Sequence, residues 1–526
     1  MPGVEDRTPG EELAAAYDYV VVGGGSAGCV LARRLAEDPD ATVLLLEAGG
    51  PDAGAADIDV AARWTSLLGG EHDWKHRYTP TGAVNGRSIA IPRGRVLGGS
   101  SSLNAMLWYR GHADDYNAWA DAGAEGWDYA ALLPYFRKSE DWQGGRTPFR
   151  GAGGPMRIET SPDPHPVAAA LLTGAAELGL PVVEDANAES NEGATFANFN
   201  ATTGPDGVMR RWSTARGYLR PATGWPNLTV RTGAEAAGLL FEGDRCTGVA
   251  HHDGRRGTIT LARAAVVLTL GAIGTPRLLM LSGIGNPGQL GPLGIRTRAA
   301  LPGVGANLQD HPLLMGVNFR LRGPLAALRD NGGGSMLNWR SSRADHRPDL
   351  HAFVVQGPHA GPELAAKYGV EGDVCAVSPG LMRSRSRGHV RLRDAAGTLD
   401  LQPNYLSERA DLEALVESLD TVQDLARTSG YRELVDGPLS PPGRLSRRDA
   451  ERFVRESCDT FFHCCGTARM GTDPESVVSP GLDVHGISGL FVADASVFPE
   501  IPTCNIQAPV VAVAERAAEL VAAATR

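Results

Sequence analysis

Residues 17–47 read YDYVVVGGGSAGCVLARRLAEDPDATVLLLE, and this stretch decides the fold. The apolar, β-branched run Tyr17–Val22 predicts a buried parallel strand, and a glycine-rich turn follows it. Ala27–Ala36 then predicts a helix, and Ala41–Glu47 predicts a second buried strand. A strand, a turn, a helix and a strand within about thirty residues are typical of a βαβ unit. We therefore expect an α/β protein with a parallel sheet.

The turn carries the glycine spacing of a dinucleotide site. Gly23, Gly25 and Gly28 match GxGxxG: the first permits the tight turn, the second lets the backbone approach a pyrophosphate, and the third lets the helix pack close to the strand. Ser26 and Ala27 open the helix, whose free N–H groups would face the phosphates. The preceding strand and the following helix supply the context that this short pattern needs.

Glu47 extends the dinucleotide pattern, because it ends the second strand and is placed to accept hydrogen bonds from a ribose. Residues 24–28 also match GxSxG, the nucleophile elbow of serine hydrolases. That elbow needs an oxyanion loop from an earlier strand, and the residues before Tyr17 contain neither an earlier strand nor an HGGG-like loop. The hydrolase interpretation is therefore disfavoured, while NAD and FAD both remain open at this point.

Five further segments occur in order along the chain. They are GRVLGGSSSLN (Gly94–Asn104), GAIGTPRLLMLSGIG (Gly271–Gly285), GANLQDH (Gly305–His311), HCCGTARMG (His463–Gly471) and the tail from Leu490 to Arg516. With the glycine turn they resemble the glucose–methanol–choline (GMC) family of FAD-dependent oxidoreductases over about Tyr17 to Val521. Within that family they are most similar to bacterial choline dehydrogenase-like members.

The resemblance implies an α/β fold, α+β overall, with a Rossmann-like FAD-binding domain and an interleaved substrate domain built on an antiparallel sheet. We expect the FAD-binding domain to be discontinuous and to comprise residues 15–155, 225–315 and 460–526. The substrate-binding domain would comprise residues 156–224 and 316–459.

The resemblance also implies FAD as the cofactor. Some family members carry a histidine that bonds covalently to the flavin, and Leu103 stands at that position here, so we expect non-covalent FAD. The small residues before Leu103 would let backbone lie against a flat ring system. Besides the glycine turn and Glu47, the resemblance predicts cofactor contacts at Gly99, Asn104, Met106, Ala236, Asp494, Ala495 and Gln507.

Two residues are predicted to carry the catalysis. His463 resembles the catalytic base of the family, and a histidine has a suitable pKa without tuning. Asn505 lies ten residues before Glu515, where the family places the second polar group that would hold the alcohol oxygen. His311 is interpreted as structural. Histidines in the presumed substrate domain could line the pocket, but the sequence selects none of them.

The predicted function is oxidation of an alcohol, most simply a primary hydroxyl, to the aldehyde by hydride transfer to flavin N5. Oxygen or another acceptor would reoxidise the flavin, and the sequence does not separate the two. Choline-like, aromatic, aliphatic, sugar and amino-sugar alcohols all remain open as substrates. The alternatives are an FAD-containing lyase and a non-redox flavoprotein of the same fold. The lyases of the family carry histidine at the position of Asn505, which argues against them.

Composition restricts the other possibilities. The 526 residues include 50 basic and 61 acidic ones, a net charge of −11 that makes nucleic acid a poor partner. We predict no secretory signal, no membrane-spanning helix and, from seven scattered cysteines, a reducing cytoplasmic location. No metal site is predicted, because adjacent Cys464 and Cys465 are badly placed for one tetrahedral ion. We expect order except in the first dozen residues and around Arg383–Arg393; the oligomeric state is left open.

Overall fold

The computed structural model describes residues 15–254 and 256–526. The expectation for the first dozen residues lies outside this part of the chain. The predicted βαβ unit is present as the strand Ala16–Val22, the helix Ser26–Leu35 and the strand Val43–Leu46. The two strands are parallel and pair from Tyr19 with Val43 to Val22 with Leu46, so both end at the same edge of the sheet.

The first sheet has seven strands. Six of them follow across the sheet in the order Leu228–Arg231, Val43–Leu46, Ala16–Val22, Gly257–Leu268, Arg245–His252 and Glu235–Glu242. The long strand Gly257–Leu268 is antiparallel to Arg245–His252 in its first half and parallel to Ala16–Val22 in its second half. Leu490–Val492 completes the sheet by pairing in parallel with residues 266–268. The carboxyl ends of strands from distant parts of the chain therefore meet at one edge.

Two helices cover one face of this sheet and are joined by a buried ion pair. The last helix, Gln507–Thr525, packs on Ser26–Leu35. Glu515 on the last helix is fully buried, and it accepts hydrogen bonds of 2.8 Å from both Nε and Nη2 of Arg34. The hydroxyl of Tyr218 donates to the same carboxylate at 2.7 Å. Removing one partner of a buried pair would leave the other charge buried and unpaired, which is costly. This contact therefore holds the two helices against each other.

The second sheet has eight strands, and its pairings are antiparallel. Its main path runs through Val435–Ser440, Asn318–Leu321, Val374–Leu381, Leu350–Val355, Ser335–Trp339 and Gly193–Phe196. Pro312–Leu314 pairs with Val374–Leu381 and with Cys458–Thr460. The predicted fold class is thus confirmed. Pro312–Leu314 belongs to this sheet although we assign its residues to the FAD-binding domain, and the domain boundaries remain a prediction.

Further helices and small sheets complete the fold. The other α-helices are Ala56–Asp59, Ala113–Asp121, Tyr129–Ser139, Pro166–Glu177, Gly271–Leu281, Pro287–Leu290, Pro362–Tyr368, Arg409–Leu425, Ser429–Arg432 and Arg447–Ser457. The small sheets pair His76–Arg77 with Ala90–Ile91, Ala201–Thr203 with Met209–Arg211, Ile284–Gly285 with Ala299–Ala300, His389–Leu392 with Leu399–Gln402, and Met156–Thr160 with Glu140–Trp142 and Asn198–Phe199. No helix within residues 15–254 and 256–526 is long and apolar enough to cross a membrane.

The arginine-rich patch Arg383–Arg393 is ordered, so our expectation of disorder there is wrong. Its backbone enters the hairpin formed by His389–Leu392 and Leu399–Gln402. Buried Asp411 accepts hydrogen bonds from the hydroxyls of Ser384 and Ser386 and from the backbone N–H of Arg385. The serines between the arginines thus tie the patch to the helix Arg409–Leu425.

Candidate active site

A cavity of about 850 Å³ is lined by residues from both sheets and from the glycine turn. Val22 and Leu46, at the carboxyl ends of two parallel strands, lie at one side of it. Phe353 and Val355 of the second sheet lie at the other side. Open α/β sheets bind ligands at the carboxyl ends of their strands, so the cavity lies where the fold predicts a ligand.

The three glycines of the turn meet different steric demands. Gly23 has φ +107°, and a Cβ there would lie 2.7 Å from the carbonyl oxygen of Thr269. A Cβ on Gly28 would lie 1.9 Å from the carbonyl oxygen of Gly23, because helix and strand touch at this point. A Cβ on Gly25 would meet nothing closer than 3.9 Å. The turn is therefore tight at its ends and open at Gly25, beside the free N-terminus of a ten-residue helix.

Glu47 is buried next to this turn. Its Oε2 accepts a hydrogen bond of 2.9 Å from the N–H of Gly24, and its Oε1 accepts one of 2.7 Å from Gly49. Burial raises the pKa of the Glu47 carboxyl to about 7, although both backbone hydrogen bonds act to lower it. Its backbone oxygen accepts a hydrogen bond from Ala234, which lines the same part of the cavity as Ala236. The arrangement can receive a ribose at Glu47 and an adenine beside the alanines.

Two residues near the end of the chain provide a further test of the fit to FAD. The Oε1 of Gln507 accepts a hydrogen bond from Ser26, while its buried Nε2 has no partner among the described residues. Asp494 accepts hydrogen bonds from the backbone of Gly271 and Ser496 and from the hydroxyl of Thr275. An unpartnered amide donor at the helix N-terminus fits a cofactor with polar acceptor atoms, so the residues present fit FAD.

Most of the predicted cofactor residues line the cavity. Those that do are Gly23, Gly25, Ser26, Ala27, Glu47, Gly99, Asn104, Ala236, Asp494, Ala495 and Gln507. Gly28 lies outside the lining, as its predicted packing role requires. Leu103 lines the cavity and offers no nucleophile for a covalent flavin link.

Met106 is not part of the cavity lining, and its predicted cofactor contact stays a prediction. Its backbone has φ +61°, and its N–H donates to Oδ1 of Asn104 in a local turn. The side chain consequently points into an apolar cluster with Phe199 and Met209. Asn104 itself remains at the cavity, where Oδ1 also accepts a hydrogen bond from Arg211.

The predicted catalytic residues lie side by side in the cavity wall. Nδ2 of Asn505 is 3.2 Å from Nε2 of His463, although 42 residues separate them in sequence. The ring of Phe461 stacks on His463 at 5.4 Å with an interplanar angle of 8°. Burial lowers the pKa of His463 well below its ordinary value, and the electrostatic interactions with His311, Arg93 and His351 act in the same direction. The imidazole is therefore neutral near pH 7 and able to accept a proton.

Sequence reasoning missed several residues around His463. Nδ1 of His311, which we interpreted as structural, is 2.9 Å from Nδ1 of His463. The N–H of His463 donates to Oδ1 of buried Asp310 at 2.8 Å. Arg93 donates to the carbonyl oxygen of Phe462 and lines the cavity. The adjacent Asp310 and His311 were visible within GANLQDH, but nothing in the sequence relates them to residue 463.

One group among the described residues has the side chains of a possible metal centre, and it lies outside the cavity lining. His112, Asp114 and His346 place one potential ligand atom each within 4.8 Å of one another. Nε2 of His346 is 2.6 Å from Asp114, as in an ordinary ion pair, and Nδ1 of His112 accepts a hydrogen bond from the backbone of Asp114. Hydrogen bonding within the protein accounts for these contacts, and the predicted absence of a metal stays a prediction.

Comparison with known proteins agrees with this geometry. The two parts of the GMC oxidoreductase family model match residues 17–313 and 384–514. The chain is 36% identical to human mitochondrial choline dehydrogenase, covering 97% of this chain and 91% of that protein. It is also 36% identical to the oxygen-dependent choline dehydrogenase of Klebsiella pneumoniae strain 342, covering 96% of each.

A similar fold is found in a solved structure. Pyridoxine 4-oxidase from Mesorbium loti superimposes with a TM-score of 0.91 at 34% identity, covering 96% of this chain and 98% of that one. The family match extends over more than half of the chain and includes both the glycine turn and the His463 segment. The chain therefore belongs to the GMC oxidoreductase family and is an FAD-dependent alcohol oxidoreductase.

Proposed function

We propose that this enzyme oxidises a primary hydroxyl to the aldehyde with His463 as the base and Asn505 as the group that holds the oxygen. Nε2 of His463 would accept the hydroxyl proton, and Nδ2 of Asn505 would donate a hydrogen bond to the oxygen as negative charge develops on it. FAD, when bound, supplies the acceptor for the hydride. The 3.2 Å contact of these two side chains at the cavity surface is the observation that carries the proposal.

The lining of the cavity indicates what kind of alcohol fits. On the side of the second sheet it consists largely of apolar and aromatic side chains, including Leu313, Phe353 and Phe461. Among the described residues, the carboxylates in the lining are Glu47, Glu235 and Asp494, all on the side of the first sheet. We propose a neutral aromatic or apolar primary alcohol, because burial of its carbon surface there is favourable.

A quaternary ammonium substrate such as choline fits this lining less well. A cation would need several aromatic faces and gains further from a nearby carboxylate, whereas the charged side chain that lines the cavity beside Phe462 and His463 is the guanidinium of Arg93. Choline is the substrate named for two relatives, and pyridoxine, which carries its hydroxyl on an aromatic ring system, is named for the third. We therefore place the substrate of this chain nearer to the aromatic alcohols.

The first experiment is an anaerobic spectral titration of the FAD-loaded enzyme with choline, benzyl alcohol, pyridoxine and an aliphatic alcohol. An aromatic alcohol is expected to bleach the flavin band at lower concentration than choline. Fast recovery in air would identify an oxidase, and slow recovery a dehydrogenase. Preferential bleaching by choline would overturn the substrate proposal, and bound flavin that no alcohol bleaches would favour the lyase or the non-redox flavoprotein.

Variants of the two residues test their roles in the same assay. His463→Ala should slow bleaching by about 10²- to 10⁴-fold, the usual contribution of a general base. Asn505→Ala should slow it by about 10²- to 10³-fold, as for loss of one oxyanion donor. His485→Ala is the matched control, because that imidazole contacts Ser476 and the Gly471 carbonyl outside the cavity lining. Equal rates in the His463 variant and the control would exclude His463 as the base.

We also propose that the protein works in a reducing compartment, the cytoplasm being the simplest. All seven cysteines are buried and unpaired, which supports this location. Cell fractionation of the native host would test it, and recovery of the enzyme in an oxidising compartment would contradict it.

A further inference from the structure

Three buried imidazoles surround the ring of Phe461. His463 stacks on one face, and the rings of His311 and His351 approach edge-on at 6.5 and 5.6 Å. Only His463 is part of the cavity lining. His311 touches His463 directly, with their Nδ1 atoms 2.9 Å apart and their ring planes perpendicular. Among the described residues, His311 is thus the side chain within hydrogen-bond distance of Nδ1 of His463, the ring nitrogen that Asn505 does not contact.

The donors and acceptors around His463 determine where its proton lies. The Asn505 amide nitrogen can only donate, so Nε2 of His463 is the acceptor in their 3.2 Å contact. A neutral imidazole with an unprotonated Nε2 carries its proton on Nδ1. That Nδ1–H then donates to Nδ1 of His311, which must be unprotonated. The contact with Asn505 therefore selects this tautomer of His463, and the contact with His311 is satisfied by it.

His311 is suited to act as a neutral acceptor. It is fully buried, and burial together with the neighbouring His351 lowers its pKa to about 3. Among the described residues no carboxylate is hydrogen-bonded to either imidazole ring. The carboxylate of Asp310, the residue before His311, accepts its bonds from the His463 backbone and from hydroxyl groups. The proton on Nδ1 of His463 thus meets a neutral ring nitrogen where many enzymes place a charged carboxylate.

We propose that His311 is a positioning residue that holds His463 in the tautomer with an unprotonated Nε2 facing the alcohol. This inference rests on the proposed function, because it takes His463 as the base. Without an acceptor at His311, the tautomer with its proton on Nε2 becomes accessible, and that form cannot take the hydroxyl proton. His311 would act only through His463 and would not touch the substrate.

Two substitutions separate this role from simple packing. His311→Phe keeps a ring of similar size and removes the acceptor, whereas His311→Asn loses volume but retains an acceptor oxygen. We expect the phenylalanine variant to lose about 10- to 100-fold in the rate of flavin bleaching, the range known for loss of the hydrogen-bond partner that orients a metal-bound histidine. The asparagine variant should recover most of that rate. The concentration of alcohol at half-maximal rate should change little in both.

A direct measurement of the tautomer accompanies the kinetics. The ring nitrogens of ¹⁵N-histidine-labelled enzyme are observed by NMR, and the signals of His463 are identified by their loss in a His463→Asn variant. The wild type should show the proton on Nδ1, and His311→Phe should shift His463 towards the Nε2-protonated form. His351→Phe is the matched control: it removes a second buried imidazole next to Phe461 and should leave the tautomer unchanged.

Several outcomes would overturn the proposal. One is a wild-type His463 protonated on Nε2, which decides the matter even if His311→Phe does not fold. Another is a His311→Asn variant as slow as His311→Phe, since retention of the acceptor would then not matter. If no alcohol bleaches the wild-type flavin, the proposed function fails, whereas the tautomer of the substrate-free enzyme still tests the role of His311.

Discussion

Asp310 is a buried carboxylate without an ion-pair partner among the described residues. It accepts hydrogen bonds from the hydroxyls of Tyr78, Tyr405 and Thr460 at 2.6 to 2.7 Å and from the His463 N–H at 2.8 Å. Four donors directed at one carboxylate stabilise its charge without a cation, and they fix the backbone of His463. Two consecutive residues thus hold the proposed base: Asp310 binds the backbone of His463, and His311 contacts its ring.

Replacement of Asp310 by asparagine should destabilise the protein markedly. An amide has one acceptor oxygen, so at least one buried hydroxyl would lose its partner at a cost of about 1–3 kcal/mol each. We expect a clear fall in the melting temperature, followed through flavin release. Tyr405→Phe removes a single donor and serves as the control with a smaller effect. Equal melting temperatures of the two variants would contradict the importance of the carboxylate.

The sequence predicted these residues to very different degrees. The places of Gly23, Gly25 and Glu47 in the cavity lining could be predicted from local spacing, because all three lie within one βαβ unit. The pairing of His463 with Asn505 came from the family resemblance and not from any pattern in the residues. The contact of His311 with His463 spans 152 residues, and such a separation leaves no local periodicity to detect. The turn that directs Met106 away from the cavity depends on one positive φ angle, which a methionine does not indicate.

The first helix, Ser26–Leu35, lies so close to the preceding turn that no side chain fits at residue 28. Since a Cβ at residue 28 would lie 1.9 Å from a carbonyl oxygen, Gly28→Ala must push the helix away from the turn. We expect purified Gly28→Ala to retain little or no FAD, measured as the ratio of flavin to protein absorbance. Gly238→Ala, in a strand of the same sheet, has open space for its Cβ and should keep full FAD content. Equal loading of both variants would show that close packing is not required.

The helix Ala113–Asp121 holds the loop that carries Asn505. Asp115 near its N-terminus accepts hydrogen bonds from the backbone N–H of Thr503 at 2.8 Å and from its hydroxyl at 2.7 Å. The same carboxylate oxygen accepts from the N–H of His112, which closes the helix terminus. These contacts span 388 residues, so the position of Asn505 depends on an element from the opposite end of the chain.

Thr503→Val should therefore affect catalysis more than cofactor binding. The substitution preserves shape but removes the hydroxyl donor, and the loop keeps only its backbone bond to Asp115. We expect a several-fold lower bleaching rate with unchanged FAD content. Thr173→Val is a suitable control, because that hydroxyl bonds only within an exposed helix turn. A Thr503→Val rate equal to that of the control would show that the hydroxyl is not needed to place Asn505.

For the molecule as a whole, buried histidines control the response to acid. Burial lowers the pKa to about 3 or 4 in His76, His311, His351 and His359. Below the ordinary pKa of 6.5 the unfolded chain binds protons at these positions and the folded chain does not, so stability falls as the pH falls. Burial has the opposite consequence for Glu47 and Asp459, whose pKa values it raises to about 7 and 6. The pKa is also lowered in His165, His251 and His463 and raised in Asp52, Asp115, Asp349 and Asp494, so the lowered histidines still outnumber the raised carboxyl groups among the described residues.

We expect the melting temperature to fall steadily between pH 6.5 and pH 4, in calorimetry or flavin-release experiments at constant ionic strength. His351→Phe, which lacks one of the buried imidazoles, should show a shallower fall. A melting temperature that stays constant or rises on acidification would mean that the raised pKa values of the buried carboxyl groups, and not the lowered ones of the histidines, determine how stability depends on pH.

The order of strands in the first sheet affects how this protein folds and whether it can be divided into fragments. Its neighbouring strands come from residues 16–46, 228–268 and 490–492, and the cavity is completed by Gln507. Contacts between residues so far apart give a high contact order, which slows folding, so the cofactor can be captured only in a late step. Until then the valine-rich central strands expose backbone to other nascent chains. A continuous fragment would therefore have to run from Ala16 to Gln507 to contain these strands and the cavity residue Gln507, so a short proteolytic fragment cannot contain the whole site.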